Sequence, residues 1–339
     1  MAYQGLDRPH SRFYYFFYKA LFVLVLTGAV GSLVFAASSL EYTWRWYRVP
    51  QYFWAVGAED VRSDVEGSVV ALEEKNGHIL VRIESADNAS ESEEVVLAAG
   101  SALRVSEGTD LYQGDIIAEV PYSRPGILLE GLWVTLKVSS IAIVLGIGIG
   151  LIQGLCRLSA NPFFRWSAIT YIELIRGTPL LVQIFLWYFV FGYLIDGALQ
   201  QLGRSPLPPL WYGACALAIF TGAYVAEIVR AGIQSVNRGQ MEAARSLGMT
   251  HAQAMRKVIL PQAFRRILPP LAGQFISLIK DSSLLGVMAV RELTKATREA
   301  VTSSLQSLEL WFTCAVLYLV LTFTLSLFVQ YLERRAVRR

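Results

Sequence analysis

Cysteine and histidine are scarce in this chain, which contains only three of each among its 339 residues. Cys156, Cys215 and Cys314 show no C-x-x-C spacing and lie in or beside long apolar runs, so we interpret them as small packing residues rather than a disulfide framework. The histidines are scattered, and no H-E-x-x-H or other metal-ligand cluster occurs. The sequence therefore predicts no metal site.

Patterns for nucleotide binding and catalysis are also missing. No G-x-x-x-x-G-K-[ST] segment occurs, and without that cradle of backbone donors and its lysine the chain cannot bind ATP in the P-loop manner. No nucleophile-and-base constellation is evident, and no interleaved basic and aromatic patch favours nucleic acid. We expect neither an enzyme nor a nucleic-acid-binding protein, and no cofactor bound by this chain.

Charge is low as well. Only 17% of the residues are charged while 54% are hydrophobic, too few polar groups to cover a soluble globule. Apolar runs near or above the ~20 residues that cross a bilayer predict six spans in contact with membrane lipid, at about 19–40, 132–156, 167–195, 209–229, 267–290 and 310–332. The sequence thus predicts an all-α polytopic membrane protein.

Basic residues orient these spans, because they concentrate in cytoplasmic loops. They precede the first span, occur throughout the loop at 230–266 and follow the last span, so both termini and this loop are expected to be cytoplasmic. The residues are Arg8, Arg12, Lys19, Arg230, Arg238, Arg245, Arg256, Lys257, Arg265, Arg266, Arg334, Arg335, Arg338 and Arg339. Arg291, Lys295 and Arg298 would lie outside as an exception. The first span could instead be a cleaved signal peptide, but its length and following aromatic residues favour a retained anchor.

A soluble, acidic segment occupies about 45–126, between the first two spans. Val69–Leu72 and His78–Ile83 flank the turn signal Asn76-Gly77, which predicts a β-hairpin. Glu94–Leu97 and Ile116–Val120 indicate further strands. We expect a small extracytoplasmic β domain, whose Gly-Asp turns near 108–115 are similar to those of lipoyl-like barrel-sandwich domains.

A polar loop near the C-terminal third carries a spaced motif. It contains Glu242-Ala243-Ala244, then Gly248, and then Val258 two residues before Leu260-Pro261. This spacing resembles the EAA loop of ATP-binding-cassette (ABC) importer permeases, with Val258 in place of the usual Ile. Segments at 131–136, 171–180, 223–230, 260–263 and 280–284 resemble the polar amino acid permeases of the histidine, glutamine and glutamate type.

The resemblance covers about 127–333 and implies a type I importer transmembrane bundle. The domains would be a tail and anchor at 1–44, the inserted β domain at 45–126, which the compact permeases lack, and a five-helix permease domain at 127–339 with its coupling loop at about 239–262. It also implies a bacterial inner-membrane permease with three kinds of partner: a second permease subunit, an external solute-binding protein, and a cytoplasmic ATPase dimer that uses ATP and Mg²⁺.

The loop has features that suit it to dock an ATPase. A short helix closed by Gly248 would be followed by a second helix that begins with the capping-box pattern Thr250-His251-Ala252-Gln253. Pro261 would end or kink that second helix near the membrane. The candidate coupling residues are Gln240, Glu242, Ala243, Ala244, Arg245, Gly248, Leu260 and Pro261.

Charged residues inside the spans are costly and usually face a cavity or a partner. Glu173 and Arg176, like Glu227 and Arg230, lie three residues apart, so each pair can form along its own helix and brace the inner end of the pathway. A stabilising cluster without a transport role is the alternative. Lys280 and Asp281 point about 100° apart. We predict a substrate path formed by Thr178, Gln183, Tyr224, Asp281 and Ser282, and the alternative is that Lys280 and Asp281 fix helix packing.

These residues leave four functions to compare. The leading one is the permease subunit of an ATP-driven amino acid importer, and a permease for another small polar solute is the first alternative. A membrane sensor or scaffold lacks an output domain, and a membrane enzyme lacks a catalytic constellation. Gly146, Gly150 and Gly154 form a flat stripe for close helix packing whose partner helix the sequence does not identify.

Overall fold

A computed structural model describes residues 12–39, 42–75, 78–85, 92–98 and 100–337. Residues 1–47 form one compact unit and residues 48–339 another. In the first unit, helix α1 (Arg12–Ser39) is mostly apolar, and Phe13–Ala36 is long and apolar enough to cross a membrane. Arg8, Arg338 and Arg339, invoked above for orientation, lie outside the described residues.

The inserted segment contains a β domain built from two sheets. One sheet has the order β1-β7-β5 and the other β4-β3-β2-β6, and every described pairing is antiparallel. The strands are β1 Trp54–Arg62, β2 Gly67–Lys75, β3 His78–Ser85, β4 Ser92–Ala98, β5 Ala102–Leu103, β6 Asp110–Leu111 and β7 Ile116–Pro125. Alternating apolar residues of both sheets form one core of Val69, Val81, Ile83, Leu97, Leu111, Ile117 and Ala118.

Four predicted strands are present, each somewhat longer than its apolar pattern. The long strand β1 was not predicted. Its inward positions include the small residues Ala55 and Gly57, and its outward positions include the large apolar residues Trp54 and Val56. The alternation of apolar and polar residues that indicates a strand is therefore weak. The turn Asn76-Gly77 lies outside the described residues, although β2 and β3 on either side pair as an antiparallel hairpin. A relation to lipoyl-like domains stays a prediction.

The β domain joins the helices through a short, well-packed stalk. A 3₁₀ segment at Trp46–Tyr52 precedes β1, and β7 runs into helix α2 with only Gly126 between them. Gly126 donates a backbone hydrogen bond to the Phe53 carbonyl at 2.7 Å, and any side chain on it would collide with the Tyr52 backbone. Tyr52 and Phe53 pack on an apolar cluster of the helices, so the domain is held at the N-terminal end of α2.

The rest of the second unit is helical. Its helices are α2 Ile127–Arg157, α3 Pro162–Arg176, α4 Leu180–Phe185, α5 Tyr193–Gln201, α6 Pro209–Gln234, α7 Arg238–Ser246, α8 His251–Ala254, α9 Leu260–Asp281, α10 Leu293–Ser304 and α11 Ser307–Val337. A π-helical segment, Leu186–Gly192, makes α4 and α5 continuous, and a second, Met255–Ile259, joins α8 to α9. A 3₁₀ segment, Ser282–Val287, follows α9.

Helices α2 and α6 pack closely and run parallel. The glycine stripe of α2 faces α6: Gly146 lies against Thr221, and Gly154 lies against Val229. Between them Gly150 contacts Val225 so closely that a β-carbon would overlap it. Helix α6 of the same chain is therefore the partner of the stripe.

Helix α9 crosses the bundle antiparallel to α6. Near its start, Ile267 packs against Gly232 at the C-terminal end of α6, and Leu285, just beyond its end, packs against Gly213 near the start of α6. With 22 residues α9 is about 33 Å long, enough to cross a bilayer. It nevertheless differs from the apolar spans, because polar residues occupy one of its faces.

Two predicted spans need correction. The span at 167–195 is broken at Pro179, whose ψ is 136°. Proline lacks an N–H and disfavours helical backbone at the preceding residue, Thr178. The membrane-length helix is instead Leu180–Gln201. The span at 267–290 ends at Asp281 and begins at Leu260. Among the described residues, five helical stretches are long and apolar enough to span a membrane, and α9 is not one of them.

The glycine contact can be tested by adding a side chain at one of two positions on α2. Gly150→Val should lower the free energy of unfolding by about 1–3 kcal/mol, because the added methyl groups overpack the α2–α6 contact. Gly148→Val is the matched control, since nothing lies within 4 Å of a β-carbon there. Thermal unfolding midpoints in detergent measure the difference, and equal midpoints for the two variants would contradict a tight contact at Gly150.

Candidate coupling loop and solute path

The polar loop after α6 folds as two helices with a sharp bend between them. Asn237 caps α7 by accepting a hydrogen bond from the Gly239 amide at 2.8 Å. Gly248 closes the helix with a positive φ of 82°, which glycine adopts without strain. Thr250 and Gln253 then form the reciprocal capping box that begins α8. The helix–bend–helix geometry predicted for this loop is present.

The faces of α7 divide its residues into inward and outward sets. Ala244 is buried, whereas Glu242, Ala243 and Arg245 are exposed. Gln240 accepts a hydrogen bond from Gln262 at 3.1 Å, which ties α7 to the start of α9. Glu242, Ala243 and Arg245 therefore remain accessible to a partner, while the opposite face of α7 packs against the bundle.

The last candidate residues lie at the start of α9. Leu260 is half-buried in an apolar cluster, and Pro261 is exposed. Pro261 does not end the second helix, which was one of the two expected alternatives; it lies directly after the π-helical segment Met255–Ile259, where its missing N–H is accommodated. The helix that begins at the bend thus continues without interruption into α9.

Leu247 is a candidate contact that sequence reasoning missed. It lies at the bend immediately before Gly248, and 80% of its surface is exposed. Exposed apolar side chains contribute most to binding when a partner buries them, and the place of Leu247 at the tip of the predicted coupling loop makes it a candidate for such a contact. A sequence signal existed, because Leu247 is the one large apolar residue between Met241 and Met249.

An ion network ties α2 to the C-terminal half of α6. Glu227 accepts hydrogen bonds from Arg230 on its own helix, the shorter at 2.8 Å, and its other oxygen pairs with Arg157 at the end of α2. All three side chains are mostly buried. The pair Glu227–Arg230 was expected, and the interhelical partner Arg157 was not.

The expected pair between Glu173 and Arg176 is not formed. In the part of the chain that the structure describes, no ion pair involves Glu173. The Arg176 guanidinium instead lies over the Tyr224 ring, 5.2 Å from its centroid. The cause is local, because α3 ends at Arg176 and leaves this side chain free to turn towards α6.

Next to this network is an open cavity of about 630 Å³. Its polar lining includes three arginines, Arg176, Arg230 and Arg266, together with Glu227. The remaining walls come from α6 and α9 and are Tyr224, Ile228, Ala231, Gly232, Ser235 and Pro270. Of the five predicted path residues, only Tyr224 lines it.

Three other predicted path residues are engaged in local hydrogen bonds. Gln183 is buried, and its amide group donates to the carbonyls of Ile175 and Thr178 and to the Thr178 hydroxyl. The Thr178 hydroxyl itself donates to the Leu174 carbonyl at 3.0 Å. Ser282 is fully buried and donates to the Ile279 carbonyl. These groups hold the break between α3 and α4 and the end of α9.

Asp281 and Lys280 lie at the far end of α9 from the cavity. Lys280 is exposed and Asp281 is half-buried, and no ion pair joins them within the described residues. With Ser277, Gly273, Pro270 and Arg266 they form one exposed or half-exposed stripe along the helix, at spacings of three and four residues. We call this stripe the polar face of α9.

Residues 146–338 match the family model described as "binding-protein-dependent transport system inner membrane component". This chain belongs to that family. The match contains α6 to α9, and hence the coupling loop and the polar face of α9, while the β domain precedes it.

Named relatives of this chain are amino acid permeases. The chain is 41% identical over 207 residues to the probable glutamine ABC transporter permease protein of Bacillus subtilis, which covers 61% of this chain and 92% of that one. It is 38% identical over 223 residues to the glutamate/aspartate import permease protein of Escherichia coli, covering 65% and 96% respectively. The relatives are permease subunits by name rather than enzymes.

Two solved transporter structures share the fold of the helical part. A crystal structure described as an amino acid ABC transporter with histidines is 42% identical, covers 62% of this chain and 94% of the solved one, and superposes with a TM-score of 0.55. An inward-facing methionine ABC transporter, 21% identical, gives a TM-score of 0.53 and supports the fold alone. The helical part of this chain is a type I ABC importer transmembrane bundle, to which a β domain is added.

The ion network predicts unequal effects for two glutamates of this family member. Glu227→Gln leaves Arg157 and Arg230 without their shared carboxylate, which should cost about 1–3 kcal/mol for mostly buried groups. Glu173→Gln is the matched control, since Glu173 joins no described ion pair. Chemical denaturation in detergent measures both variants, and equal stability losses would show that the network does not hold α2 to α6.

Proposed function

We propose that this chain is the permease subunit of an ATP-driven importer of polar amino acids. The observation that carries the proposal is the braced helix–bend–helix loop on a chain of this family, with Glu242, Ala243, Arg245 and Leu247 facing outward. An exposed helix of this kind can enter a groove on another protein. The substrate class follows from relatives named for glutamine, glutamate and aspartate.

The energy source in this proposal is a separate ATPase. The sequence has no phosphate-binding loop, so ATP and Mg²⁺ would be used by a cytoplasmic ABC ATPase dimer docked on the coupling loop. An extracytoplasmic solute-binding protein, a partner that the family description names, and a second permease subunit would complete the proposed assembly. This chain would contribute one half of the translocation path.

We place both termini and the coupling loop on the cytoplasmic side of a bacterial inner membrane. The basic residues of the loop support this orientation. The β domain is attached at the opposite end of α2 from Arg157, so it would face the outside. There it would adjust the delivery of solute by the binding protein, held by its stalk on Tyr52 and Phe53.

The polar face of α9 is our candidate for the wall of the solute path. Because α9 crosses the bundle, leaving Lys280 and Asp281 against lipid would be costly, and such residues face a cavity or a partner. Asp281 is proposed to meet the ammonium group of the solute. Thr178, Gln183 and Ser282 would act by shaping the neighbouring backbone rather than by touching solute, since their donors are engaged locally.

The docking claim is tested by Leu247→Asp, with Leu202→Asp as its control. Leu202 is also strongly exposed, at 74%, but it follows the last residue of α5, before α6 begins and far from the coupling loop. Loss of a central apolar contact costs about 2 kcal/mol or more, so Leu247→Asp should weaken ATPase binding about 30-fold. Co-purification of the ATPase and solute-stimulated ATP hydrolysis in proteoliposomes are measured for both variants. Normal coupling in Leu247→Asp would refute docking at this loop.

The same assay separates coupling from transport when Asp281→Asn is included. This variant should keep ATPase binding and lose uptake, because it removes the charge proposed to meet the solute without altering the coupling loop. Lys280→Met combined with Asp281→Leu tests the alternative in which the two charges are structural partners. Unaltered uptake kinetics in Asp281→Asn would remove this residue from the path.

A further inference from the structure

The cavity beside the coupling end of the bundle carries an excess of positive charge. Among the described residues that line it, Glu227 is the only acidic one, and that carboxylate is already shared by Arg230 and by Arg157 from outside the cavity. Arg176 is held by the Tyr224 ring rather than by an anion. Arg266 donates to the Ser235 carbonyl and hydroxyl. Neither Arg176 nor Arg266 has an acidic partner in the part of the chain that the structure describes.

Arg176 and Arg266 line the cavity, and each retains guanidinium donors without a described hydrogen-bond partner. A guanidinium has five N–H groups; Arg266 uses one terminal nitrogen on Ser235, and the contact of Arg176 is with the face of a ring. Planar guanidinium groups bind carboxylates and phosphates with two parallel hydrogen bonds. The cavity therefore fits an anionic oxygen group, with apolar walls at Ile228 and Ala231 for the remainder of a ligand.

The position of the cavity indicates which anion reaches it. Arg266 and Pro270 belong both to its lining and to the polar face of α9, which continues through Gly273 and Ser277 to Asp281. A solute moving along this face would leave Asp281 and arrive at Arg266 after about four helical turns. An acyl chain in lipid would instead need an apolar approach, which this face does not offer.

We propose that the arginine cavity is an inner binding site for the α-carboxylate of the transported amino acid. This inference rests on the proposed function, because it takes the transported solute as the ligand. Arg176 and Arg266 hold the carboxylate, while the shared Glu227 keeps Arg230 and Arg157 in place. The site is open to water, so binding is weak and release into the cytoplasm remains fast.

A cysteine placed in the cavity wall tests this site in the assembled permease–ATPase complex in nanodiscs. Ala231→Cys is introduced after Cys156, Cys215 and Cys314 are replaced by alanine, and its reaction with anionic and cationic methanethiosulfonate reagents is timed. The positive cavity should favour the anionic reagent about tenfold. Arg176→Gln and Arg266→Gln should each reduce this preference severalfold. Arg265→Gln, outside the lining, is the matched control and should leave it unchanged.

Ligand identity comes from protection of the same introduced cysteine. L-glutamine should slow the modification, whereas its α-carboxamide, which lacks the carboxylate, should not. Protection by inorganic phosphate but not by glutamine, or by phosphatidylglycerol nanodiscs relative to phosphatidylcholine nanodiscs, would assign the site to a phosphate group and overturn the proposal. Equal reaction with both reagents would overturn it as well.

Uptake by the unmodified complex in proteoliposomes is measured separately. Absence of any amino acid uptake would show failure of the proposed function, whatever the labelling result. Normal glutamine uptake, without protection of the introduced thiol in the Ala231→Cys variant, would refute the inner carboxylate site and leave the proposed function standing.

Discussion

The close parallel contact between α2 and α6 is the constraint on which the rest of the bundle depends. Gly146, Gly150 and Gly154 remove side chains from one face of α2, so α6 approaches until its own Thr221, Val225 and Val229 fill the space. In a membrane, where lipid is as apolar as the side chains, such backbone proximity supplies the packing energy for association. The contact also fixes the height of Arg157 beside Glu227, and hence the ion network at the same end.

The position of α9 is determined by contacts at both ends of α6. Gly232 accepts Ile267 at one end and Gly213 accepts Leu285 at the other, which makes α9 cross the bundle although it is too polar to resemble a span. Its buried face is satisfied by the bundle, while its polar face is left uncovered in the single chain. In the proposed assembly, a passage between this chain and a second subunit would keep Arg266, Lys280 and Asp281 away from hydrocarbon.

Local patterns in the sequence predicted much of this structure. The apolar runs predicted α2, α6 and α11 to within a few residues, and the capping box and Gly248 predicted the bend of the coupling loop. The break at Pro179 was also predictable, because proline interrupts helices. It was missed because the residues around it form one long apolar run. Strand β1 was missed because Ala55 and Gly57 weaken its inward pattern.

Non-local contacts were the part that the sequence did not provide. Arg157 and Glu227 are seventy positions apart, and only the register of α2 on α6 brings them together. The same holds for Arg176 and Tyr224, whose contact replaces the expected pair with Glu173. Sequence spacing places residues along one helix, whereas pairing between helices depends on which faces are small enough to approach.

We propose that the polar face of α9 lines a water-filled passage. The most direct test is the reactivity of cysteines introduced along α9 in the assembled complex. Single cysteines at Arg266, Pro270, Gly273, Ser277 and Lys280 should react with a membrane-impermeant thiol reagent, while cysteines at Ile267, Leu278 and Ile279 should not. Labelling would then recur every three or four residues along the whole helix. Reaction at the two ends but none at Gly273 and Ser277 would contradict the claim, because the middle of the face would be packed rather than open to water.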